Sequence, residues 1–200
     1  VGAQQDDENG NAAGAAYLFD TITGNQAAKI LPLGGAAYDL FGMGVAINGN
    51  TAVVGSPFDT DNGNFSGSAY LFDVSDVANP VQTAKLLPLD GASGDYFGWS
   101  VAISGNTVAV GAREDDDNGL GSGSVYLFSA TTGAQLAKII PSDGASYESF
   151  GWSIGIDGNT LIAGAPFDFT AGLPTGSAYL FDVSDVANPV QTAKLLPLDG

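Results

Sequence analysis

The chain contains no cysteine and no histidine, and only five of its 200 residues are lysine or arginine. The lack of cysteine excludes disulfide bonds and thiolate chemistry. The lack of both residue types also excludes zinc sites of the usual kind, and the lack of histidine excludes a histidine general base. The absence of thiols is compatible with either redox compartment.

Positive charge is scarce, because 22 acidic residues stand against the five basic ones and give a net charge of −17. A nucleic-acid backbone would be repelled, so we expect no nucleic-acid partner, and an anionic membrane surface is disfavoured for the same reason. No apolar run approaches the roughly 18 residues of a membrane span, so we also expect no membrane insertion. The chain begins at Val1 without a signal peptide, which suggests a mature or partial piece.

Helix-forming patterns are also missing. Only three of the 22 acids are glutamate, whereas the chain contains 29 glycines. Glutamate favours helices, while aspartate and glycine favour turns, and no segment shows a 3.6-residue periodicity. The composition therefore predicts strands joined by turns.

The sequence repeats itself. The segment Gly67–Gly91 recurs letter for letter as Gly176–Gly200. A shorter repeat is marked by Phe-Gly, which begins at Phe41, Phe97 and Phe150. Two further markers recur in four copies, and they are Tyr-Leu-Phe (from Tyr17, Tyr70, Tyr126 and Tyr179) and a lysine before an apolar pair and proline (Lys29, Lys85, Lys138 and Lys194).

Each repeat contains four short strand patterns. In the third copy they are Trp99–Ser104, Thr107–Ala112, Ser124–Ser129 and Gln135–Ile140, and the pair Gly105-Asn106 is a hairpin turn between the first two. Strands of about five residues in a repeat of this length are typical of propeller blades.

The residues after each Phe-Gly resemble a known family. The stretches Phe41–Pro57, Phe97–Ala112 ("FGWSVAISGNTVAVGA") and Phe150–Pro166 are similar to FG-GAP repeats. The resemblance implies the propeller blades found in integrin α subunits and in secreted bacterial and archaeal surface proteins, and hence an extracellular or cell-surface location. In the integrin-type repeat a calcium loop lies between FG and GAP. Here a tight turn occupies that place, so the integrin calcium site is not carried over.

The predicted fold class is all-β, a β-propeller of four-stranded antiparallel blades in a partial or open-ended ring. We predict a single array over residues 1–200, with a partial blade at 1–40 and blades at 41–96, 97–149 and 150–200. The partial first blade suggests a piece of a longer propeller or tandem array.

Acidic residues cluster in the loop after the second strand. Alternate acids followed by Asn-Gly resemble the start of a calcium loop, and Ca²⁺ requires six to eight oxygen ligands. The bland alternative is that aspartate, asparagine and glycine simply form good turns. A fourth copy, with Asp168 and Thr170, has lost its second acid and is expected to be empty. The candidate metal ligands for Ca²⁺ are Asp6, Glu8, Asp59, Asp61, Asp115 and Asp117.

Other repeated residues have structural interpretations. Trp99 and Trp152 follow FG directly, where packing between blades is a likelier role than a sugar-stacking platform. The lysine on each fourth strand is interpreted as a residue that discourages pairing at an outer edge strand.

In a four-stranded meander all connections between the second and third strands lie at one end, so the acidic loops should share one face. We therefore predict an extracellular, calcium-stabilised propeller that mediates adhesion or protein assembly at a cell surface through this face, with another protein or a glycan as partner. The alternative is a structural subunit of a self-assembling extracellular fibre. A propeller glycosidase, which needs a pair of catalytic carboxylates, is less likely because the acids recur in every blade, and we expect no enzymatic activity.

Overall fold

The computed structural model describes residues 1–170 and 173–197, and the regular elements in these ranges are β-strands. Within them, no helix is long and apolar enough to cross a membrane. The strands, in chain order, are β1 (Gly2–Ala3), β2 (Ala15–Phe19), β3 (Gln26–Ile30), β4 (Val45–Asn48), β5 (Thr51–Ser56), β6 (Ser68–Asp73), β7 (Val81–Leu86), β8 (Phe97–Ser104), β9 (Thr107–Ala112), β10 (Ser124–Ser129), β11 (Gln135–Ile139), β12 (Ser153–Asp157), β13 (Thr160–Ala165), β14 (Phe169–Thr170), β15 (Leu173–Pro174), β16 (Ser177–Asp182) and β17 (Val190–Leu195).

Four antiparallel sheets, here called blades 1 to 4, follow one another along the chain. Blade 1 has the order β1-β2-β3, and the other three are four-stranded meanders with the orders β4-β5-β6-β7, β8-β9-β10-β11 and β12-β13-β16-β17. A short hairpin, β14-β15, extends the loop of blade 4. The all-β prediction with four-stranded antiparallel blades is confirmed.

The two central strands of a blade are its most buried strands, and β-branched and small residues alternate along the second one. In β9, Val108, Ala109 and Val110 are all fully buried. The turn at Gly105 joins β8 to β9 with φ 56°, a left-handed conformation that glycine adopts without strain.

The hydrophobic core lies between neighbouring blades. Val53 and Leu71 of blade 2 belong to the same buried cluster as Val108 and Tyr126 of blade 3, and a corresponding cluster joins blades 3 and 4. The sheets therefore pack face to face in sequence, as propeller blades do.

The Phe-Gly pair fixes the spacing of the blades. Phe97 is fully buried, and its ring packs edge-on against Tyr126 at 5.5 Å and Phe128 at 5.7 Å between centroids. Gly98 has φ 91°, and a β-carbon there would lie 2.1 Å from the carbonyl oxygen of Ser68 in the preceding blade. Only glycine allows this close approach of two backbones.

The acidic loops share one end of the molecule, which we call the loop face. They span residues 4–14, 57–67, 113–123 and, in blade 4, 166–176, of which 171–172 lie outside the described residues. Isolated bridges join the end of each of the first three loops to the Phe of the next blade, as in Gly67 with Phe97. The first hairpins of the blades meet at the opposite end, where Gly105 N–H donates to Asn48 Oδ1 at 3.1 Å.

The described blades form an open arc. Among residues 1–170 and 173–197, no strand of blade 1 is hydrogen-bonded to a strand of blade 4. This agrees with the predicted partial or open-ended ring.

Candidate functional site

The acidic loops of blades 2 and 3 each combine a buried first acid with an exposed second acid. In blade 2, Asp59 is 2% exposed, whereas the Asp61 side chain is 59% exposed. The first acids are Asp6, Asp59, Asp115 and Asp168, and the second acids are Glu8, Asp61 and Asp117.

A local turn aims the first acid beneath the loop. Asp59 Oδ1 accepts a hydrogen bond from the N–H of Asp61 at 3.0 Å, and Asp115 accepts the same bond from Asp117 at 3.1 Å. Because this turn engages one carboxylate oxygen, the other is left for the strands below.

A tyrosine and a lysine lie directly opposite each other on the third and fourth strands under each loop, as Tyr70 and Lys85 do in blade 2. The Tyr70 hydroxyl donates to Asp59 Oδ2 at 3.0 Å, and Lys85 Nζ lies 2.7 Å from the same oxygen and 5.2 Å from the centre of the Tyr70 ring. We call this arrangement the Asp–Tyr–Lys cluster. Its four copies are Asp6–Tyr17–Lys29, Asp59–Tyr70–Lys85, Asp115–Tyr126–Lys138 and Asp168–Tyr179–Lys194.

The lysine ammonium also reaches the second acid. Lys85 Nζ lies 2.6 Å from Asp61 Oδ2, and Lys138 Nζ lies 2.6 Å from Asp117 Oδ2. Lys29 contacts Glu8 in the same way. The six predicted metal ligands are thus brought together in three pairs, and each pair surrounds a lysine.

Two clusters recruit a further acid from the linker before their blade. Lys138 Nζ lies 2.9 Å from Asp90, and Lys194 Nζ lies 2.8 Å from Asp143. In blade 4, where Thr170 stands at the second-acid position, Asp143 supplies the second carboxylate. The ammonium therefore ties its own loop to the chain that arrives from the preceding blade.

The clusters of blades 1, 2 and 4 favour the ionised form of their first acid. Burial opposes ionisation of Asp59, but hydrogen bonds from Lys85 and from the Asp61 N–H outweigh it and hold the pKa of Asp59 below its usual value. The same balance lowers the pKa of Asp168. In blade 1, the hydrogen bond from Lys29 is the main cause of the lowered pKa of Asp6.

A second set of acids, which the sequence did not single out, lies two residues before each Phe-Gly pair. Asp39, Asp95 and Glu148 are only 4–5% exposed, and each accepts a backbone N–H from three residues earlier. Burial, reinforced by the nearby charge of Asp115, raises the pKa of Asp95 to about 6 against the opposing hydrogen bond from its backbone donor. Burial also raises the pKa values of Asp39 and Glu148.

The inner carboxylates fit an ammonium rather than a metal ion. Calcium–oxygen distances are 2.3–2.6 Å, so an ion that bridged Asp59 and Asp61 would overlap Lys85 Nζ. Among the described residues, no group of three or more His, Cys, Asp or Glu side chains is arranged to hold a metal. Calcium binding by the six acids named from the sequence stays a prediction.

A different cluster, which we call the Arg113 cluster, lies on the loop face between blades 3 and 4. The Arg113 guanidinium carbon lies 3.8 Å from the centre of the Trp99 ring, 4.6 Å from Trp152 and 5.1 Å from Tyr96. The two tryptophan rings are 5.1 Å apart, so they contact each other across the two blades. Each such stacking contributes about 0.5–2 kcal/mol, depending on burial.

Beside this cluster runs a groove of about 360 Å³, the loop-face groove, lined by Glu114, Tyr147, Ser149, Phe167 and Phe169. Tyr147 is 59% exposed, Phe167 is 45% exposed and Phe169 is 57% exposed. Glu114 Oε1 lies 3.3 Å from the Arg113 guanidinium, which links the groove to the Arg113 cluster. Aromatic walls with a few polar groups are the ordinary composition of a binding groove.

The FG-GAP repeat family matches residues 25–72, 80–128 and 134–181, which together make up most of the chain. The chain belongs to the FG-GAP repeat family. Each match begins just before the last strand of one blade and ends in the third strand of the next. FG-GAP repeats form β-propeller blades and are typical of extracellular and surface proteins.

Other comparisons add little. No curated protein matches the chain in sequence. Among solved structures, the chain is similar to a europium-containing methanol dehydrogenase with 10% identity and a TM-score of 0.49, over 74% of this chain and 23% of that one. The chain therefore spans less than a quarter of that protein's length.

Sequence reasoning located the acids but missed the lysines among them. It interpreted the lysines as edge-strand residues, and they do lie on outer strands, yet their ammonium groups point to the loops. A signal was present, because aspartate, tyrosine and lysine each recur at fixed repeat positions. In a hairpin with the observed register, tyrosine and lysine face each other on one side of the sheet.

Proposed function

We propose that the chain is an extracellular β-propeller module that mediates adhesion or protein assembly by binding another protein or a glycan at its loop face. The family supports the propeller and the extracellular location. The loop-face groove is the observation that carries the binding role.

The groove is where the chain departs from its own repeat. Arg113 and Glu114 stand at positions that hold Pro57 and Phe58 in blade 2, and proline and phenylalanine again in blade 4. Features shared by all blades serve the fold, whereas a departure from the repeat is available for recognition. Exposed aromatic residues that form a contiguous patch mark interaction sites in soluble proteins.

Charge narrows the class of partner. All five basic residues of the chain lie in ion pairs with its own acids. The uncompensated net charge of −17 would repel polyanions and favour neutral or basic partners.

Variants of the groove test this proposal. Tyr147→Asn combined with Phe167→Ala removes two aromatic walls, and asparagine tolerates the φ of 68° at position 147. The matched control is Tyr38→Asn, because Tyr38 occupies the equivalent position in blade 2 with the same exposure of 59% and φ 72°. The chain is displayed on beads and screened against glycan arrays and immobilised extracellular proteins.

We expect the double variant to lose at least 10-fold in affinity for the ligand found, about 1.4 kcal/mol, while the control keeps it. Equal binding by wild type and double variant would remove the groove from the proposal, and failure of the wild type to bind any array would remove the adhesion role.

The fibre alternative has support of its own from the outer blades. Phe19 in blade 1 is 44% exposed, whereas the equivalent Phe72 is 2% exposed. Leu195 in blade 4 is 44% exposed, whereas the equivalent Leu86 is 1% exposed. In an inner blade the equivalent residues are covered by neighbouring parts of the chain. A second copy of the chain would cover Phe19 and Leu195 in the same way. Concentration-dependent assembly in sedimentation velocity would favour the fibre.

We propose no enzymatic activity. A glycosidase needs an accessible pair of carboxyl groups. Asp95 and Asp115, whose charges interact, are only 5% and 3% exposed. Release of reducing sugar from the glycans that bind would overturn this part.

A further inference from the structure

We propose that the lysine ammonium groups take the place that calcium ions would hold between the acids of the loops, so that each blade carries its own counter-ion and the fold is independent of calcium. This inference stands apart from the proposed binding function, because it concerns the repeated Asp–Tyr–Lys clusters and not the loop-face groove.

The donor capacity of lysine matches the acids around it. An ammonium has three N–H donors and no acceptor. Lys138 Nζ lies within 2.9 Å of three carboxylates, from Asp90, Asp115 and Asp117. All three donors thus have a carboxylate within hydrogen-bond distance, and the position that a bridging ion would take is filled by the chain itself.

Across the four blades the cation is constant while its acids vary. Blade 2 uses two acids of its own loop, because Gly34 stands where the linker acid Asp90 stands before blade 3. Blade 4 lacks the second loop acid and uses Asp143 from the linker. An arrangement organised around a fixed ammonium tolerates such exchanges, whereas a calcium loop depends on a set number of oxygens at set positions.

The tyrosine ring makes the cluster suit an organic cation. Each lysine Nζ lies 4.9–5.6 Å from the centre of the tyrosine ring of its own cluster. Cations over an aromatic face are stabilised by the ring quadrupole. Ca²⁺ instead requires oxygen ligands over most of its coordination sphere, and a ring face provides none.

The experiment compares thermal unfolding in 5 mM EDTA and in 5 mM CaCl₂ for the wild type and two variants. Lys85→Met empties the position between Asp59 and Asp61 and keeps the volume of the side chain. The matched control is Lys85→Met combined with Asp61→Asn, which leaves a single carboxylate at that position. Terbium luminescence, sensitised by the tyrosine of the cluster, reports directly whether a metal enters.

We expect the wild-type Tm to be the same in EDTA and calcium, and no terbium signal. Lys85→Met should unfold about 6–12 °C earlier in EDTA, regain part of this in calcium and bind terbium, whereas the control that also carries Asp61→Asn should regain none and bind no terbium. Lys85→Arg, which keeps a cation, should stay close to the wild type, and it provides a folded variant if Lys85→Met does not fold.

The inference is overturned if EDTA lowers the wild-type Tm, or if Lys85→Met is as stable as the wild type. A Lys85→Met variant that folds but gains nothing from calcium would also overturn the equivalence of the two cations.

Discussion

The loop face contains two regions built from the same ingredients, a cation, a carboxylate and an aromatic ring, that differ in how often they occur. The Asp–Tyr–Lys clusters recur in every blade, and three of their four first acids are 3% exposed or less. The Arg113 cluster occurs once, and the aromatic residues of the adjoining groove are about half exposed. The same kind of cluster therefore serves the fold where it is repeated and buried. Where it occurs once, beside an exposed groove, it can serve recognition.

Removal of one buried ammonium should have the largest effect. Lys138→Met leaves Asp115 buried without its nearest counter-ion, and breaking a buried ion pair in this way costs about 3 kcal/mol in the free energy of unfolding. Lys29→Met is the control, because the Asp6 side chain is 17% exposed rather than 4%, and the loss of a solvent-screened pair should be clearly smaller. Urea unfolding measures both, and equal losses would contradict the role of burial.

A buried acid next to the repeated cluster should make stability depend on pH in an unusual direction. The pKa of Asp95 rises from 3.8 to about 6 on folding, so the folded protein holds this proton more tightly than the unfolded chain. Its contribution is present below pH 3.8 and is lost as pH rises through 6, which should lower the free energy of unfolding by about 1–2 kcal/mol between pH 4.5 and pH 8.

The variant Asp95→Asn should remove that decline and be more stable than the wild type at pH 8, as followed by urea unfolding at the two pH values. The lowered pKa values of Asp59 and Asp168 act in the opposite direction, and their contribution is lost only as pH falls below their usual range. Burial also raises the pKa values of Asp39 and Glu148, so these acids add to the decline, and the difference between the wild type and Asp95→Asn isolates Asp95. A wild type that is more stable at pH 8 than at pH 4.5 would contradict the assignment.

Restoring the repeat in blade 3 should have the smallest effect on stability. The double change Arg113→Pro with Glu114→Phe installs the residues of blades 2 and 4, whose backbones accept them, so unfolding should shift by about 1 kcal/mol or less. Binding at the loop-face groove should be lost, and tryptophan fluorescence should change because Trp99 and Trp152 lose their stacked guanidinium. A variant that keeps full binding would show that the departure from the repeat is not functional.

Much of the fold could be predicted because local signals agree. The Phe-Gly pairs, the Gly-Asn turns and the β-branched second strands each specify a short piece of backbone, and repetition specifies their stacking. The short hairpin β14-β15 was not predicted, because its two-residue strands carry no periodic pattern.

The candidate site was only partly predictable. The acids could be assigned to loops from their spacing, but the contact between Lys138 and Asp90 joins a strand of blade 3 to the linker before that blade and depends on how the linker packs. The Arg113 cluster depends on the same packing, since Trp99 and Trp152 meet only when two sheets are neighbours. The runs of acids in the sequence carry no neighbouring base, apart from Arg113. In the folded chain, every lysine and arginine forms an ion pair with an acid of these loops or of a linker.

The offset between the family's repeat and the blades has an evolutionary consequence. Each matched unit supplies the last strand of one sheet and three strands of the next, so every sheet is completed by two consecutive units. Duplication or deletion of one whole unit in the gene would rejoin complementary strands at the new junction and leave no half-built sheet. Such a chain can gain or lose whole units during evolution without passing through an intermediate that has an incomplete sheet with an unpaired strand edge.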